Sequence, residues 1–279
     1  MEVPLEDITA PSVKSPADVA AAGDFTHAGA VPPALASPLL WRVDPTCRPR
    51  VDRSEMLRYL GYSGQDIETD LARRIELVVE RLEIDVEPRG VRRVFGVDAT
   101  GADAAGEPCI RLVGTPIELR GRDIYRHLKD ARLCAVLACT LGMGAERRLR
   151  TASSQQPLEG TLLDAACSAY VEAAVEQMDR QTKRDAAAFG LTGNWRFSPG
   201  YGDCPLDAQP HILSALNATR LIGLTVTPTN LLMPTKSVTA VIGLFDGEVH
   251  DAGTRPTCNI CRQRVHCRFR AAGTTCYAS

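Results

Sequence analysis

Apolar positions recur at helical spacing in several parts of the chain, and these stretches mark the predicted helices. Between residues 67 and 82 apolar side chains alternate with a charged face, which predicts an amphipathic helix. Before it, Asp52-x-x-Glu55 has the pattern of a capping box and predicts a short helix. Residues 158–178 are apolar on almost every side, which predicts a buried central helix. A shorter helix is predicted over 209–216.

Other stretches are rich in β-branched residues, with partial or regular alternation, and predict strands. The stretch 133–139 is apolar throughout, so we expect it to be buried on both faces, with Cys134 and Cys139 as core residues. Helices and strands together predict an α+β fold, in which an antiparallel or mixed sheet packs with helices around the central helix. The predicted strands are 91–97, 110–119, 133–139 and 235–244.

The two ends of the chain lack such patterns and suggest a three-part organisation. Residues 1–48 are rich in Ala and Pro, and we expect a disordered leader, or alternatively a docking peptide centred on Trp41. The predicted domain covers 49–250. A cysteine-rich tail covers 251–279.

Charge and composition limit the classes of partner. The 279 residues include 32 Lys and Arg against 34 Asp and Glu, a formal charge of -2, so no global field favours nucleic acid or anionic lipid. We find no secretory signal and no apolar run of about 20 residues, and we expect a cytoplasmic protein.

The tail contains Cys258, Cys261, Cys267 and Cys276, opening with a Cys-x-x-Cys pair. Four soft ligands suit a structural zinc or an iron-sulfur cluster, and the spacing does not decide between them. Disulfides and unliganded thiols are the alternatives. Arginines around these cysteines could neutralise a tetrathiolate site or dock an acidic partner.

The segment 195–205 has the composition of a rigid loop that presents one cation beside one aromatic ring. Pro199 fixes its own φ, and Gly200 permits backbone angles that are closed to other residues. The guanidinium of Arg196 matches the geometry of a carboxylate. A surface salt bridge of Arg196, with Tyr201 merely packing, is the alternative interpretation.

This loop resembles a known ligand-binding motif. The similarity extends to four other segments, 58–62, 138–142, 222–225 and 232–240, in the expected order. The family is the reactivation domain of cobalamin-dependent methionine synthase, here in a form that resembles stand-alone bacterial relatives. Its S-adenosylmethionine-binding motif is matched by Arg196-x-x-Pro199-Gly200-Tyr201-x-x-Cys204-Pro205.

The resemblance implies a function and a set of site residues. Arg196 would hold the ligand's carboxylate, and Glu172, on the central helix, would face its cationic part. From the residues alone, Glu172 could equally lie on an exposed stripe with Glu176, one turn later. Ser198, Gly200 and Tyr201 would complete the binding loop. Methyl transfer to reduced cobalt needs alignment and no acid or base, so no catalytic residue is implied. The chain departs from the motif where Gly202-Asp203 replace Pro-Ala, which predicts a looser loop and a negative charge beside the ligand.

The implied partners follow from the same resemblance. The cobalamin would be carried by a methionine synthase or another corrinoid protein, which the chain would reactivate in trans within methionine biosynthesis. A reductase or flavodoxin-like protein would supply the electron. Two alternatives stay open: an electron-transfer or docking module built on the tail, and a pared-down methionine synthase that uses an external methyl-corrinoid and thiol-bound zinc.

Overall fold

The sheet at the centre of the protein is antiparallel. The computed structural model describes residues 30–62, 64–249, 265–271 and 273. Seven strands form the main sheet in the order β4-β3-β2-β5-β9-β6, with β1 also paired to β2, and β7 and β8 form a separate pair. The strands are β1 Leu39–Arg42, β2 Arg89–Asp98, β3 Cys109–Leu112, β4 Glu118–Arg120, β5 Leu133–Thr140, β6 Leu191–Gly193, β7 Thr225–Val226, β8 Leu232–Met233 and β9 Ser237–Asp246.

Helices pack on both faces of this sheet. One face is covered by a long helix of 31 residues, α6, together with α2, α3 and α5. The other face is covered by α4, α7 and α8. The helices are α1 Pro33–Ala36, α2 Arg53–Tyr59, α3 Thr69–Asp85, α4 Arg122–Leu128, α5 Gly142–Gln155, α6 Pro157–Ala187, α7 Gln209–Ala215, α8 Ala218–Ile222 and α9 Arg268–Ala271.

Strand β5 lies between the two layers and is buried along its whole length. Alternate side chains belong to opposite cores: Cys139 packs under α6, whereas Cys134 faces the α4, α7 and α8 side. Burial raises the pKa of both thiols to about 12, so they are unreactive core residues. The α+β fold and the doubly buried strand are therefore confirmed.

The predicted strand over 110–119 is in fact two strands, β3 and β4. The chain reverses between β3 and β4 at Gly114, which has φ 76°. The turn is closed by the Thr115 N–H, which donates to the Leu112 carbonyl at 3.1 Å. The alternation of apolar residues continues through this turn because Ile117 packs back into the same core as Leu112. Pattern alone therefore concealed the reversal.

Part of the predicted leader belongs to the folded domain. Strand β1 pairs with β2, with Leu39 opposite Arg92 and Arg42 opposite Arg89, and Leu35 is buried in the core. The contacts of this pairing offset the conformational entropy lost when the short apolar segment is ordered. The composition of residues 1–48 does not reveal this pairing. The folded domain therefore begins before residue 49; residues 1–29 lie outside the described part, and the division at residue 251 stays a prediction.

Candidate functional site

The loop that carries Arg196 is fixed to the edge of the main sheet at two points. Asn194 donates its backbone N–H to the Gly243 carbonyl at 3.0 Å. Phe197 exchanges two backbone hydrogen bonds with Val241, at 2.8 and 2.7 Å, and its ring is buried. Because Arg196 lies between these anchors, its backbone position is set by strand β9.

The turn that follows is closed by its own backbone. Gly200 donates to the Cys204 carbonyl at 2.9 Å, and Tyr201 donates to the Ser198 carbonyl at 3.1 Å. Gly200 has φ 96°, and a β-carbon there would meet Leu206 at 3.1 Å, so glycine is required. Tyr201 is 57% exposed in this turn, and its ring lies edge-on to that of Phe197 with the centroids 6.3 Å apart.

Asp203 ties this turn to the beginning of α4. Its two carboxylate oxygens accept the backbone N–H groups of Arg122, at 2.9 Å, and Asp123, at 3.0 Å. Helix α4 begins after Gly121, which has φ 118° and no side chain that could cap the helix. The expectation that Gly202-Asp203 loosens the loop is therefore wrong, since the carboxylate joins two segments.

Replacing Asp203 with alanine should lower the free energy of unfolding by about 1 kcal/mol, because two N–H groups at the helix end lose their acceptor. Asp203→Asn keeps an acceptor and should lose less. Urea denaturation followed by circular dichroism measures both. Equal losses in the two variants would show that the carboxylate does not act as a cap.

Two carboxylates on α6 hold the Arg196 guanidinium. Its Nη2 donates to Glu172 Oε2 at 2.7 Å, and its Nη1 donates to Glu176 Oε2 at 2.5 Å. The two glutamates are one helical turn apart, so they lie on the same face of α6. Burial alone lowers the pKa of Arg196, but the charges of Glu172 and Glu176 outweigh burial, and the net shift is upward. The guanidinium stays charged.

A second group of side chains surrounds this ion-pair cluster. Asp179 is buried, and burial raises the pKa of its carboxyl while the Lys183 ammonium, 2.8 Å away, opposes that shift. On α2, burial raises the pKa of the Tyr59 phenol to about 12, and the negative charge of Glu172 adds to the effect. Tyr59 is 43% exposed, so the cluster adjoins the protein surface.

Aromatic rings support the loop from the core side. His127, on α4, lies with its ring centroid 4.5 Å from Trp195 and 5.4 Å from Phe197, the residues on either side of Arg196. Asn194 donates to the His127 carbonyl at 2.9 Å and approaches the His127 Nδ1 at 3.3 Å. Burial, reinforced by the Lys183 charge, lowers the pKa of His127 to about 4, although a backbone hydrogen bond with Trp195 opposes the shift.

The structure brings together the side chains of Arg196 and Glu172, and it places Ser198, Gly200 and Tyr201 in the adjoining turn. Glu176 is the residue that sequence reasoning missed, because a charged position near the end of the apolar stretch is also typical of an exposed helix face. Its spacing of four residues from Glu172 is the signal that could have identified it. A cation bracketed by two carboxylates is suited to a zwitterionic ligand, since either charge of the ligand finds an opposite partner.

The predicted metal ligands are not brought together within the described residues. Cys258, Cys261 and Cys276 lie outside them, and Cys267 is half-buried with a free thiol. Among the residues that the structure describes, no group of three His, Cys, Asp or Glu side chains could hold a metal ion. The metal site stays a prediction. Within the same ranges, no helix combines the length and apolar character needed to cross a membrane.

Comparison with known proteins relates the chain to one fold. No protein-family model matches the sequence, and no curated protein matches it. Among solved structures, the chain is similar to the crystal structure of the MetH reactivation domain bound to AdoHcy, with a TM-score of 0.56 and 14% sequence identity. The match covers 86% of this chain and 87% of that one. At this identity the similarity establishes a shared fold, the α+β architecture of the MetH reactivation domain.

Proposed function

We propose that this protein binds S-adenosylmethionine at the Arg196 cluster and supports reductive methylation of an oxidised corrinoid carried by another protein. The observation that carries the proposal is the bracketing of Arg196 by Glu172 and Glu176. The ligand combines a carboxylate with an ammonium and a sulfonium, so it needs one cation and nearby anions. The solved structure of similar fold contains AdoHcy, which differs from this ligand by the sulfonium methyl.

Ligand binding at this cluster would be an exchange of ion pairs. In the protein alone, Glu172 and Glu176 occupy the guanidinium, and their side chains are 31% and 44% exposed. A ligand carboxylate would take one edge of Arg196, which presents five N–H donors, and a released glutamate would face the ligand's cationic groups. The exposure of both glutamates permits this rearrangement without disturbing the buried loop.

The chain's own part in the reaction would be binding and alignment. When bound, S-adenosylmethionine supplies an activated methyl group. The loop fixed to β9 would hold the ligand's amino-acid part through Arg196, and Gly200 and Tyr201 would shape the turn around it. Alignment of this kind needs no proton transfer from the protein. The corrinoid would be carried by a methionine synthase or related methyltransferase, with a reductase or flavodoxin-like protein as electron donor.

The experiment that tests this function is a reactivation assay in trans. A cobalamin-dependent methionine synthase lacking its own reactivation domain is prepared in the oxidised, inactive cobalt state and mixed with a reductant and S-adenosylmethionine. We expect methylcobalamin to form faster with this protein present and not with the Arg196→Ala variant. Equal rates with and without the protein would contradict the proposal.

Glu176→Gln tests the role of the second carboxylate. The change leaves Arg196 paired with Glu172 but removes one negative charge that would face the sulfonium. We expect S-adenosylmethionine affinity to fall about 10-fold, corresponding to one charged contact, and affinity for AdoHcy, which lacks the sulfonium charge, to fall less. Calorimetric titration of both ligands measures the difference. Glu80→Gln, at an exposed position on α3, is the matched control, and an equal effect there would contradict a specific role.

The four tail cysteines, Cys258, Cys261, Cys267 and Cys276, are proposed as a metal site on the basis of their spacing alone. Iron with acid-labile sulfide would support an electron-transfer role for the tail. Stoichiometric zinc with a closed ligand set would indicate a structural tail, and zinc with an open position would favour thiol activation. Metal and sulfide analysis of the purified protein distinguishes these three outcomes.

A further inference from the structure

A cavity of about 360 Å³ opens beside the beginning of helix α5. It shares no lining residue with the Arg196 cluster, and its walls come from β1, β2, the end of α3 and the first turns of α5. Three arginines line it, Arg42, Arg89 and Arg148. Its volume lies in the range typical of small-molecule sites.

Two of these arginines face each other across paired strands. Arg42 on β1 is the direct register partner of Arg89 on β2, and both side chains are exposed. Like charges directly opposite each other in an antiparallel pair are destabilising. Neither guanidinium has a hydrogen bond or an ion pair to a carboxylate within the described part of the chain. Within the described residues, these two guanidinium groups therefore lack a directly paired carboxylate.

The Arg89 guanidinium also lies over the beginning of α5. A β-carbon added at Gly142 would be 3.1 Å from Arg89 Nη2, so glycine is what allows this approach. Helix α5 has 14 residues, and its N-cap residue, Leu141, contributes no side-chain hydrogen bond. The N–H groups of a first turn carry a partial positive charge. A cation and a positive helix end are thus placed side by side.

The carboxylates of the cavity do not balance these charges. Arg148 is paired with Asp85 at 2.9 Å, which leaves Glu87 as the remaining acidic side chain of the lining. Counting the lining residues, three arginines against one aspartate and one glutamate give a net charge of +1, in addition to the helix end. The Gly142 N–H already donates to Thr140 Oγ1 at 3.0 Å, so an oxyanion with several acceptor oxygens would satisfy Arg42, Arg89 and the later N–H groups of the first turn of α5.

We infer that this cavity binds the phosphate or pyrophosphate group of a small molecule. Arg42 and Arg89 clamp the anion, and the N-terminus of α5 contributes backbone donors. The ligand is separate from S-adenosylmethionine, which has no phosphate, so the inference does not depend on the proposed function. A bound anion converts the repulsion between the two arginines into a stabilising bridge.

Calorimetric titration of pyrophosphate into the full-length protein, at constant ionic strength, tests the inference. We expect saturable binding of one pyrophosphate, weakened about 10-fold or more in both Arg42→Gln and Arg89→Gln, since each change removes a charged hydrogen-bond donor. Arg147→Gln, an exposed arginine on α5 that does not line the cavity, should bind like the wild type. Absence of saturable binding at millimolar pyrophosphate, or an equal loss in Arg147→Gln, would overturn the inference.

Thermal unfolding provides an independent readout on the same variants. Without pyrophosphate, Arg42→Gln should unfold at the same temperature as the wild type or above it, because a like-charge pair has been removed. With pyrophosphate, the midpoint of the wild type should rise and that of Arg42→Gln should not. A ligand-induced rise that is equal in both proteins would place the anion elsewhere and overturn the assignment.

Discussion

Replacing Arg196 with alanine is expected to weaken S-adenosylmethionine binding by about 30- to 1,000-fold, a loss of roughly 2 to 4 kcal/mol. The variant removes the partner for the ligand's carboxylate. It also leaves Glu172 and Glu176, both within hydrogen-bonding distance of the missing guanidinium, without their shared cation. Lysine at this position restores the charge but not the planar set of N–H donors of a guanidinium, so we expect the affinity to recover only in part.

Isothermal titration calorimetry measures this effect. Arg184→Ala is the matched control, because Arg184 lies on α6, the helix that carries Glu172 and Glu176, is exposed, and donates to the Gln181 side chain. Its affinity should equal that of the wild type. An Arg196→Ala variant that keeps its fold and binds S-adenosylmethionine as tightly as the wild type would remove Arg196 from the site.

Acidification from about pH 7 to about pH 4 is expected to remove up to about 3 kcal/mol of stability through His127 alone. The pKa of His127 is lowered from 6.5 to about 4 in the folded protein, chiefly by burial. Between these values the unfolded chain binds more protons than the folded chain, so the free energy of unfolding falls as the pH falls. The effect is fully developed below the folded pKa.

The surroundings of His127 explain why the protonated form is unfavourable. The side-chain oxygen Oδ1 of Asn194 accepts the Gly243 N–H at 2.8 Å. This hydrogen bond fixes the side-chain amide with its NH₂ group toward His127 Nδ1. A proton on Nδ1 would then face another donor. Because His127 packs against Trp195 and Phe197, its protonation should disturb the loop that carries Arg196.

Urea denaturation at a series of pH values, compared between the wild type and His127→Gln, measures this contribution. The variant should lose less stability on acidification, whatever its stability at neutral pH. Asp179 acts in the opposite direction, since its raised pKa favours the folded state as pH falls, and the comparison cancels its contribution. Parallel pH dependences of the two proteins would show that His127 is not the group responsible.

Local sequence signals predicted much of the fold because short-range physics determines those elements. Asp52 accepts the backbone N–H groups of Ser54 and Glu55 and begins α2 as its pattern indicates. The apolar run of β5 is buried because the sheet has helices on both faces. In contrast, the pairing of β1 with β2 joins residues about fifty positions apart, and the composition of the leader contains no trace of it.

The candidate site was predictable only in part for a similar reason. Arg196 and its turn form a contiguous motif, whereas Glu172 and Glu176 reach it from a helix some twenty residues earlier in the chain. The role of Asp203 was also hidden, because its partners are the N–H groups of α4, eighty residues away. Contacts of that kind depend on tertiary packing, which a pattern within one segment does not encode.

Hydrogen exchange of the wild-type protein with and without S-adenosylmethionine tests most directly whether the ligand binds at the Arg196 cluster. Amide exchange reports local opening, which a ligand that binds only the closed form suppresses. We expect slower exchange in peptides covering 194–204 and in the part of α6 that contains Glu172 and Glu176, with other regions unchanged. Saturating ligand that protects neither segment, or that protects only the cysteine-rich tail, would contradict the proposed site.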